Sequence, residues 1–230
     1  MGRNSVIIIQ ARVGAVRLPH KVMLPLHGFP IIEWVFRRVR RTKLADKVLV
    51  AIPETKENDE LEKILKRLGA EIYRGNENDL VDRFYQAANL YEATHIIRVC
   101  ADNPFISATE IDHLINFFFS ENCDYAYNHL PRNNSYPDGL GAEMVSFETL
   151  KTLHNEARLS DHREHIFNFI WTYPERFKIG TFSPEDHRLA HPELKLDVDT
   201  QLDYQRLQNL AVNINMEAHE IVTAALTLNY

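Results

Sequence analysis

Three short runs of β-branched and aliphatic residues constrain this chain most: Ser5–Gln10 (SVIIIQ), Lys47–Ile52 (KVLVAI) and His95–Cys100 (HIIRVC). Each has the length of a strand. The first two are apolar almost without a break, which is how strands covered on both faces of a parallel sheet read. Segments of helical period lie between and beyond them: Ile31–Arg41 directly after Pro30, Asn58–Leu68, Asp79–Tyr91 and Ala108–Phe119. In the second of these, Leu61, Ile64, Leu65 and Leu68 share one face, Asn58 stands at the cap and Gly69 just past the last turn. Strands and helices alternating through short connections imply right-handed crossovers and a parallel sheet covered by helices.

The second half is less regular. Asp124–Asn128 and Ala142–Phe147 read as strands on either side of the turn-rich Pro131–Gly141, Ser160–Thr172 as a helix, and Phe177–Phe182 and Leu194–Val198 as strands. Thr200 then caps a final helical region, with Asp203 completing a capping box. No linker, repeat or low-complexity stretch interrupts the 230 residues. The expectation is therefore one α/β domain over 1–230 with a mixed, mainly parallel sheet between helices.

Composition narrows the function classes. With 26 Lys and Arg against 32 Asp and Glu the net charge is −6, which argues against a general nucleic-acid binder. Cys100 and Cys123 offer neither CxxC spacing nor a disulfide scaffold. No apolar stretch has the length of a signal-peptide core or a membrane span, so the expected location is the cytoplasm. The 11 histidines form no HExxH pair, and no GxSxG elbow occurs.

Against this acidic background, the segment after the first strand runs Gln10-Ala11-Arg12-Val13-Gly14-Ala15-Val16-Arg17-Leu18-Pro19-His20-Lys21. Three cations and a glycine at a strand's carboxyl end suit a polyphosphate: Gly14 lets the backbone approach, amides cradle the anion, and Arg12, Arg17 and Lys21 surround it. A solvated basic loop is the plain alternative. Asp102 follows the third strand run and Asp199 the run Leu194–Val198, so both project toward the same rim. Two carboxylates are hard oxygen ligands of the kind Mg²⁺ prefers. The plain alternatives are an Asn-Pro turn at Asp102 and support of a helix start at Asp199.

The basic loop resembles the A-R-x-G-S-x-R-L-P-x-K signature of sugar cytidylyltransferases, a family that includes CMP-KDO and CMP-sialic acid synthetases and the spore-coat polysaccharide protein F group. The resemblance to the last branch extends to Tyr73-Arg74-Gly75, Asp79-Leu80-Val81-Asp82-Arg83-Phe84, Ala101-Asp102-Asn103-Pro104, Tyr136-Pro137-Asp138-Gly139-Leu140, Arg163-Glu164-His165 and Val198-Asp199-Thr200. The chain departs from the pattern at Ala15, where the signature has Ser, at His20 before Lys21, and at Ala101, where Gly is usual. The resemblance implies a nucleotide-diphosphosugar-transferase-like (Rossmann-like) fold, with nucleotide binding in about 1–120 and acceptor binding and dimerisation in about 121–230. It also implies transfer of CMP from CTP to an acidic or phosphorylated sugar with release of pyrophosphate, in surface polysaccharide or glycoconjugate synthesis.

The same resemblance implies that Arg12, Arg17 and Lys21 are catalytic, and that Ala11, Arg12, Val13, Gly14, Lys21, Arg74, Gly75 and Ala101 hold the nucleotide. Asp102 and Asp199 would bind Mg²⁺, with Asp197 assisting, and the partners would be CTP, a sugar and a second copy of the chain. Asp124–Thr172, rich in aromatics, is the segment expected to make that dimer contact. For the acceptor, Asp138 on its Pro-Gly turn and Glu143 on the next strand offer groups for hydroxyls. Arg163 and His165, read as opening a helix, offer a cationic end. Two rival readings stay open: a glycosyltransferase of the related fold using Asp197-Val198-Asp199 as its metal motif, and a catalytically silent scaffold of polysaccharide assembly.

Overall fold

The computed structural model describes residues 2–228. Met1, Asn229 and Tyr230, which the single-domain reading takes in, lie outside the described residues. In chain order the elements are β1 Ser5–Gln10, the hairpin β2 Pro25–Leu26 and β3 Phe29–Pro30, α1 Ile31–Val39, β4 Lys47–Pro53, α2 Asp59–Arg67, β5 Glu71–Gly75 and α3 Leu80–Leu90. There follow β6 His95–Cys100, α4 Ala108–Glu121, β7 Tyr125–Tyr127, β8 Glu143–Ser146, α5 Phe147–Glu156, α6 Ser160–Glu164, α7 Asn168–Thr172, β9 Ile179–Thr181, α8 Gln201–Gln208 and α9 Ala218–Thr227.

Seven strands form one sheet in the order β5-β4-β1-β6-β8-β7-β9. The three apolar runs of the sequence are its centre: β1 pairs in parallel with β4, Val6 opposite Lys47, and with β6, Val6 opposite Ile96. Their side chains alternate between two cores. Ile7, Ile9, Val50, Ile52, Ile97 and Val99 pack beneath α1, α2 and α4. Val6, Ile8, Leu49, Ala51 and Ile96 pack beneath α3, α5 and α7. With both faces covered, both sets of alternate residues are apolar away from the strand ends, Arg98 of β6 excepted. β8 runs antiparallel to β6 and β7, which makes the sheet mixed as expected. A third core around Trp34, Phe105 and Tyr136 seats the hairpin, α8, α9 and residues 194–198. No helix of the described residues is long and apolar enough to cross a membrane.

Several expectations change in detail. Asn58 does not cap α2 through its side chain, which is turned to the basic loop instead. Gly69 does take the left-handed conformation past α2, with φ +69°. Ser160–Thr172 is two short helices, not one, because Ile166 and Phe167 turn into the second core between them. Leu194–Val198 is no ladder strand: a single parallel bridge, Lys195 with Asp138, replaces it, and its alternate residues Leu194, Leu196 and Val198 fill the third core. The strand expected over Ala142–Phe147 stops at Ser146, whose side chain accepts Thr149 N–H and so starts α5. Tyr125, Tyr127 and Phe169 of the expected dimer segment are buried within the protomer.

Gly141 marks the tightest packing. A Cβ there would lie 2.2 Å from the carbonyl oxygen of Asn128, a fully buried residue tied to Ala142 and to the Glu110 carbonyl and unable to retreat. Gly14, by contrast, has only Glu57 Oε2 at 3.9 Å from its virtual Cβ. Gly141→Ala should therefore cost at least about 2–3 kcal/mol, whereas Gly14→Ala should stay within about 0.5 kcal/mol. Urea unfolding followed by circular dichroism checks both.

Candidate active site

The basic loop is fastened at one residue. Val13, buried, gives its N–H to Asn58 Oδ1 at 3.1 Å and its carbonyl accepts the amides of Ala15 and His20 at 2.9 and 3.0 Å. Ala11 N–H continues the β1 edge toward the Ala51 carbonyl. The amides of Arg12, Gly14 and Val16 make no hydrogen bond among the described residues, which leaves three donors for a ligand. His20 adopts φ 58°, a left-handed conformation that glycine takes at lower cost. The family resemblance leads one to expect glycine at this position.

From that turn Lys21 reaches across the mouth of the sheet. Its ammonium donates to Asp102 Oδ2 at 2.6 Å, to the Val198 carbonyl at 2.8 Å and to Asp199 Oδ1 at 3.0 Å. Arg17, more exposed, pairs with the other oxygen of Asp199 at 2.9 Å. Burial alone would lower the Lys21 pKa, yet Asp102 and Asp199 outweigh it and raise it. Burial would likewise lift Asp199, and the charges of Lys21 and Arg17 hold it below the usual carboxylate value. Both carboxylates converge on one cation, so the pair offers hard oxygen ligands of the kind a divalent metal ion takes.

Each carboxylate is itself held. Val198 N–H donates to the Asp102 carbonyl at 2.9 Å. Asp203 Oδ2 accepts the amides of Asp199 and Thr200 and the ammonium of Lys195, forming the expected capping box at the start of α8. Burial opposes ionisation of Asp203, but Lys195 and Thr200 bring its pKa down to about 2. Asp197 behaves differently. It is buried below Gly139, and burial together with the charge of Asp138 pushes it up to about 7 against the pull of Lys195, 3.3 Å away. It does not line the cleft.

The cleft has a volume of about 390 Å³. Of the expected residues the structure gathers Arg12, Arg17, Lys21, Ala101, Asp102, His165 and Asp199 around it, with Ala15 at the loop. It adds Gln10, Arg98, Cys100 and Glu164, which the sequence reading did not single out as site residues. Arg98 forms the floor, donating to Gln10 Oε1 at 2.9 Å and paired with Glu143 Oε2. A lone arginine in the apolar run of β6 was the available signal. Burial pushes the Cys100 thiol up to about 12, so it stays protonated and a poor nucleophile at neutral pH.

Other expected site residues lie apart from the cleft. Glu143 is buried beneath Arg98, accepts the Tyr125 hydroxyl at 2.5 Å, and is held ionised chiefly by Arg98 against burial. It backs the floor of the cleft from beneath Arg98. Arg74 is pinned to Asp59, Glu62 and the Thr55 carbonyl, and Gly75 is packed against Tyr73 and Arg83. The side chains of Ala11 and Val13 belong to the core. Asp138 is bridged to Lys195 by its backbone, with its carboxyl raised by burial. Arg163 and His165 do not open a helix: Arg163 is in the last turn of α6 and His165 follows as its C-cap. The Arg163 guanidinium grips Asp79, the N-cap of α3, at 2.5 and 2.8 Å and the His154 carbonyl at 2.9 Å.

Residues 6–221 match the family model described as cytidylyltransferase. The chain is 29% identical over 229 residues to the spore coat polysaccharide biosynthesis protein SpsF of Bacillus subtilis, covering 96% of this chain and 93% of that protein. It is 33% identical over 120 residues to the 3-deoxy-manno-octulosonate cytidylyltransferase of Chlorobium phaeobacteroides, about half of each chain (51% and 47%). Among solved structures, a cytidylyltransferase from Leptospira borgpetersenii superposes with a TM-score of 0.89 at 27% identity, covering 99% of this chain and 95% of that one.

Because Arg163 joins α6 to the cap of α3, Arg163→Ala should lower stability by about 1–3 kcal/mol and weaken no single ligand selectively. A wild-type urea midpoint combined with loss of affinity for one ligand only would assign it to binding instead.

Proposed function

The chain belongs to the cytidylyltransferase family, and from that premise we propose that it transfers CMP from CTP to an acidic or phosphorylated sugar, releasing pyrophosphate. The observation that carries this reading is the Lys21 ammonium set between Asp102 and Asp199 at the lip of the cleft, with Arg12 and Arg17 beside it. A protein of net charge −6 that concentrates cations at one strand end is equipped for a polyanion. SpsF, by its name, works in polysaccharide synthesis, which agrees with a sugar acceptor for this chain.

In the reaction an acceptor oxygen attacks the α-phosphorus of CTP in line. The new P–O bond forms as the bond to the β-phosphate bridging oxygen breaks, and pyrophosphate leaves with that electron pair. The acceptor's proton, where it carries one, passes to solvent. The chain supplies position and charge. The amides of Arg12, Gly14 and Val16 and the side chains of Arg12 and Arg17 meet the phosphates. Lys21, whose three donors now serve Asp102, Asp199 and the Val198 carbonyl, can turn one toward phosphate oxygens. Asp102 and Asp199 would hold Mg²⁺, which when bound neutralises phosphate charge and acts as a Lewis acid. Arg98, Gln10 and His165 border the rest of the cleft, where the sugar would lie. The proposal includes a homodimer, as the family resemblance implies.

The burial of Asp197 weighs against the glycosyltransferase alternative, because that reading needs Asp197 and Asp199 to face one metal ion. The intact Lys21–Asp102–Asp199 contact weighs against a silent scaffold. Lys21→Ala is expected to cut pyrophosphate release from CTP by about 10²–10³-fold, the scale for losing one electrostatic contact to the transition state. Asp102→Asn should abolish the metal-dependent part of the rate. A panel of acidic and phosphorylated sugars with CTP and Mg²⁺ provides the assay, and no pyrophosphate from any of them would count against the reading.

A further inference from the structure

Away from the cleft, between the end of α1 and the start of α4, lies a cavity of about 560 Å³. Arg38, Arg41 and Lys43 line it together with Ser107, Ala108 and Thr109 at the first turn of α4. Arg38 is 4% exposed. Its Nε donates to the Ile106 carbonyl and its Nη1 to the Met216 carbonyl, both at 2.7 Å. Its Nη2 makes no hydrogen bond or ion pair among the described residues and is open to the solvent of the cavity. Arg41 is exposed at the mouth of the cavity, with Nη2 on the Ile214 carbonyl at 2.9 Å and Asn215 Oδ1 at 3.1 Å. Burial, and next the charge of Arg41, press the Arg38 pKa down to about 10.

The acids that face the cavity are already engaged. Asp112 accepts the amides of Lys43 and Leu44. Glu217 closes the capping box of α9, and its attraction for Arg38 is the weakest of the three influences on that group. His113 is turned to Glu110. At the start of the 14-residue helix α4, Ser107 Oγ accepts only Glu110 N–H, at 3.4 Å, and the amides of Ala108 and Thr109 make no hydrogen bond among the described residues. A buried guanidinium without a counter-charge is costly, and leaving it so requires compensation. A planar guanidinium pair and a helix N-terminus are donors that match the oxygens of a phosphate group.

We propose that this cavity binds a small phosphate-bearing anion, with Arg38, Arg41 and Lys43 neutralising its charge and the first turn of α4 donating amides. The shared chemistry is a phosphate dianion, whether inorganic phosphate or the phosphate group of a sugar phosphate. The inference does not depend on the reaction assigned to the cleft.

The test is calorimetric titration at fixed ionic strength with inorganic phosphate and, separately, glucose 1-phosphate. The host is the full chain carrying Arg12→Ala, Arg17→Ala and Lys21→Ala, which removes the cationic side chains of the basic loop from the cleft. Saturable binding is expected, weakened at least tenfold by adding Arg41→Ala and Lys43→Ala. It should weaken as much on adding Thr109→Glu, which sets a carboxylate at an exposed position of the first turn while favouring the helix dipole, with an unchanged urea midpoint. Glucose 1-phosphate binding at least tenfold tighter than phosphate would support a sugar phosphate as occupant; equal affinities would support recognition of the phosphate alone. Absence of saturable binding in the host, or binding indifferent to both sets of changes, would overturn the proposal.

Discussion

The contact on which this structure turns is the ammonium of Lys21 between the carboxylates of Asp102 and Asp199. Three remote parts of the chain meet there: the turn after β1, the turn after β6 and the extended run before α8. Without the cation, two carboxylates would face each other at a half-buried rim; Lys21 and Arg17 hold the Asp199 pKa below the usual carboxylate value against burial. The same contact makes a charged receptacle in an acidic protein.

The rest of the fold serves that contact from behind. Asn58, on the turn before α2, holds Val13 and so sets the arc of the basic loop. The capping box of Thr200 and Asp203 fixes Asp199 at the start of α8, where the free amides of a helix favour negative charge. Arg98 and Glu143, a buried pair closed by the Tyr125 hydroxyl, form a rigid polar floor. Such buried ion pairs add little net stability but are costly to break, which suits a surface that must keep its shape around a ligand.

The centre of the fold was legible in the sequence because β1 and β4 are buried on both faces and read as nearly unbroken apolar runs, with β6 a third run broken only by Arg98. The edge strand β5 was missed because Glu71, Tyr73 and Arg74 are exposed or half-buried and show no such run. The run at 194–198 shows the limit of period-2 reasoning: burial of Leu194, Leu196 and Val198 imitates a strand without a ladder. Ser160–Thr172 kept helical propensity throughout, yet the pull of Ile166 and Phe167 into the core broke it, a tertiary effect that local pattern does not contain. At the site, cations and carboxylates at strand ends stood out from an acidic chain. The roles of Arg163 and Glu143 did not, because their partners Asp79 and Arg98 lie 84 and 45 residues away, and only the folded chain brings them together.

Asp102 and Asp199, both served by Lys21, are the pair on which the proposed cation site rests. Anomalous scattering from Mn²⁺ in crystals grown with a non-hydrolysable CTP analogue tests it most directly. The expected result is a manganese peak shared by the carboxylates of Asp102 and Asp199, with the Lys21 ammonium moved from at least one of them onto phosphate oxygen. Bound nucleotide with Lys21 still bridging both carboxylates, and manganese elsewhere or absent, would contradict it.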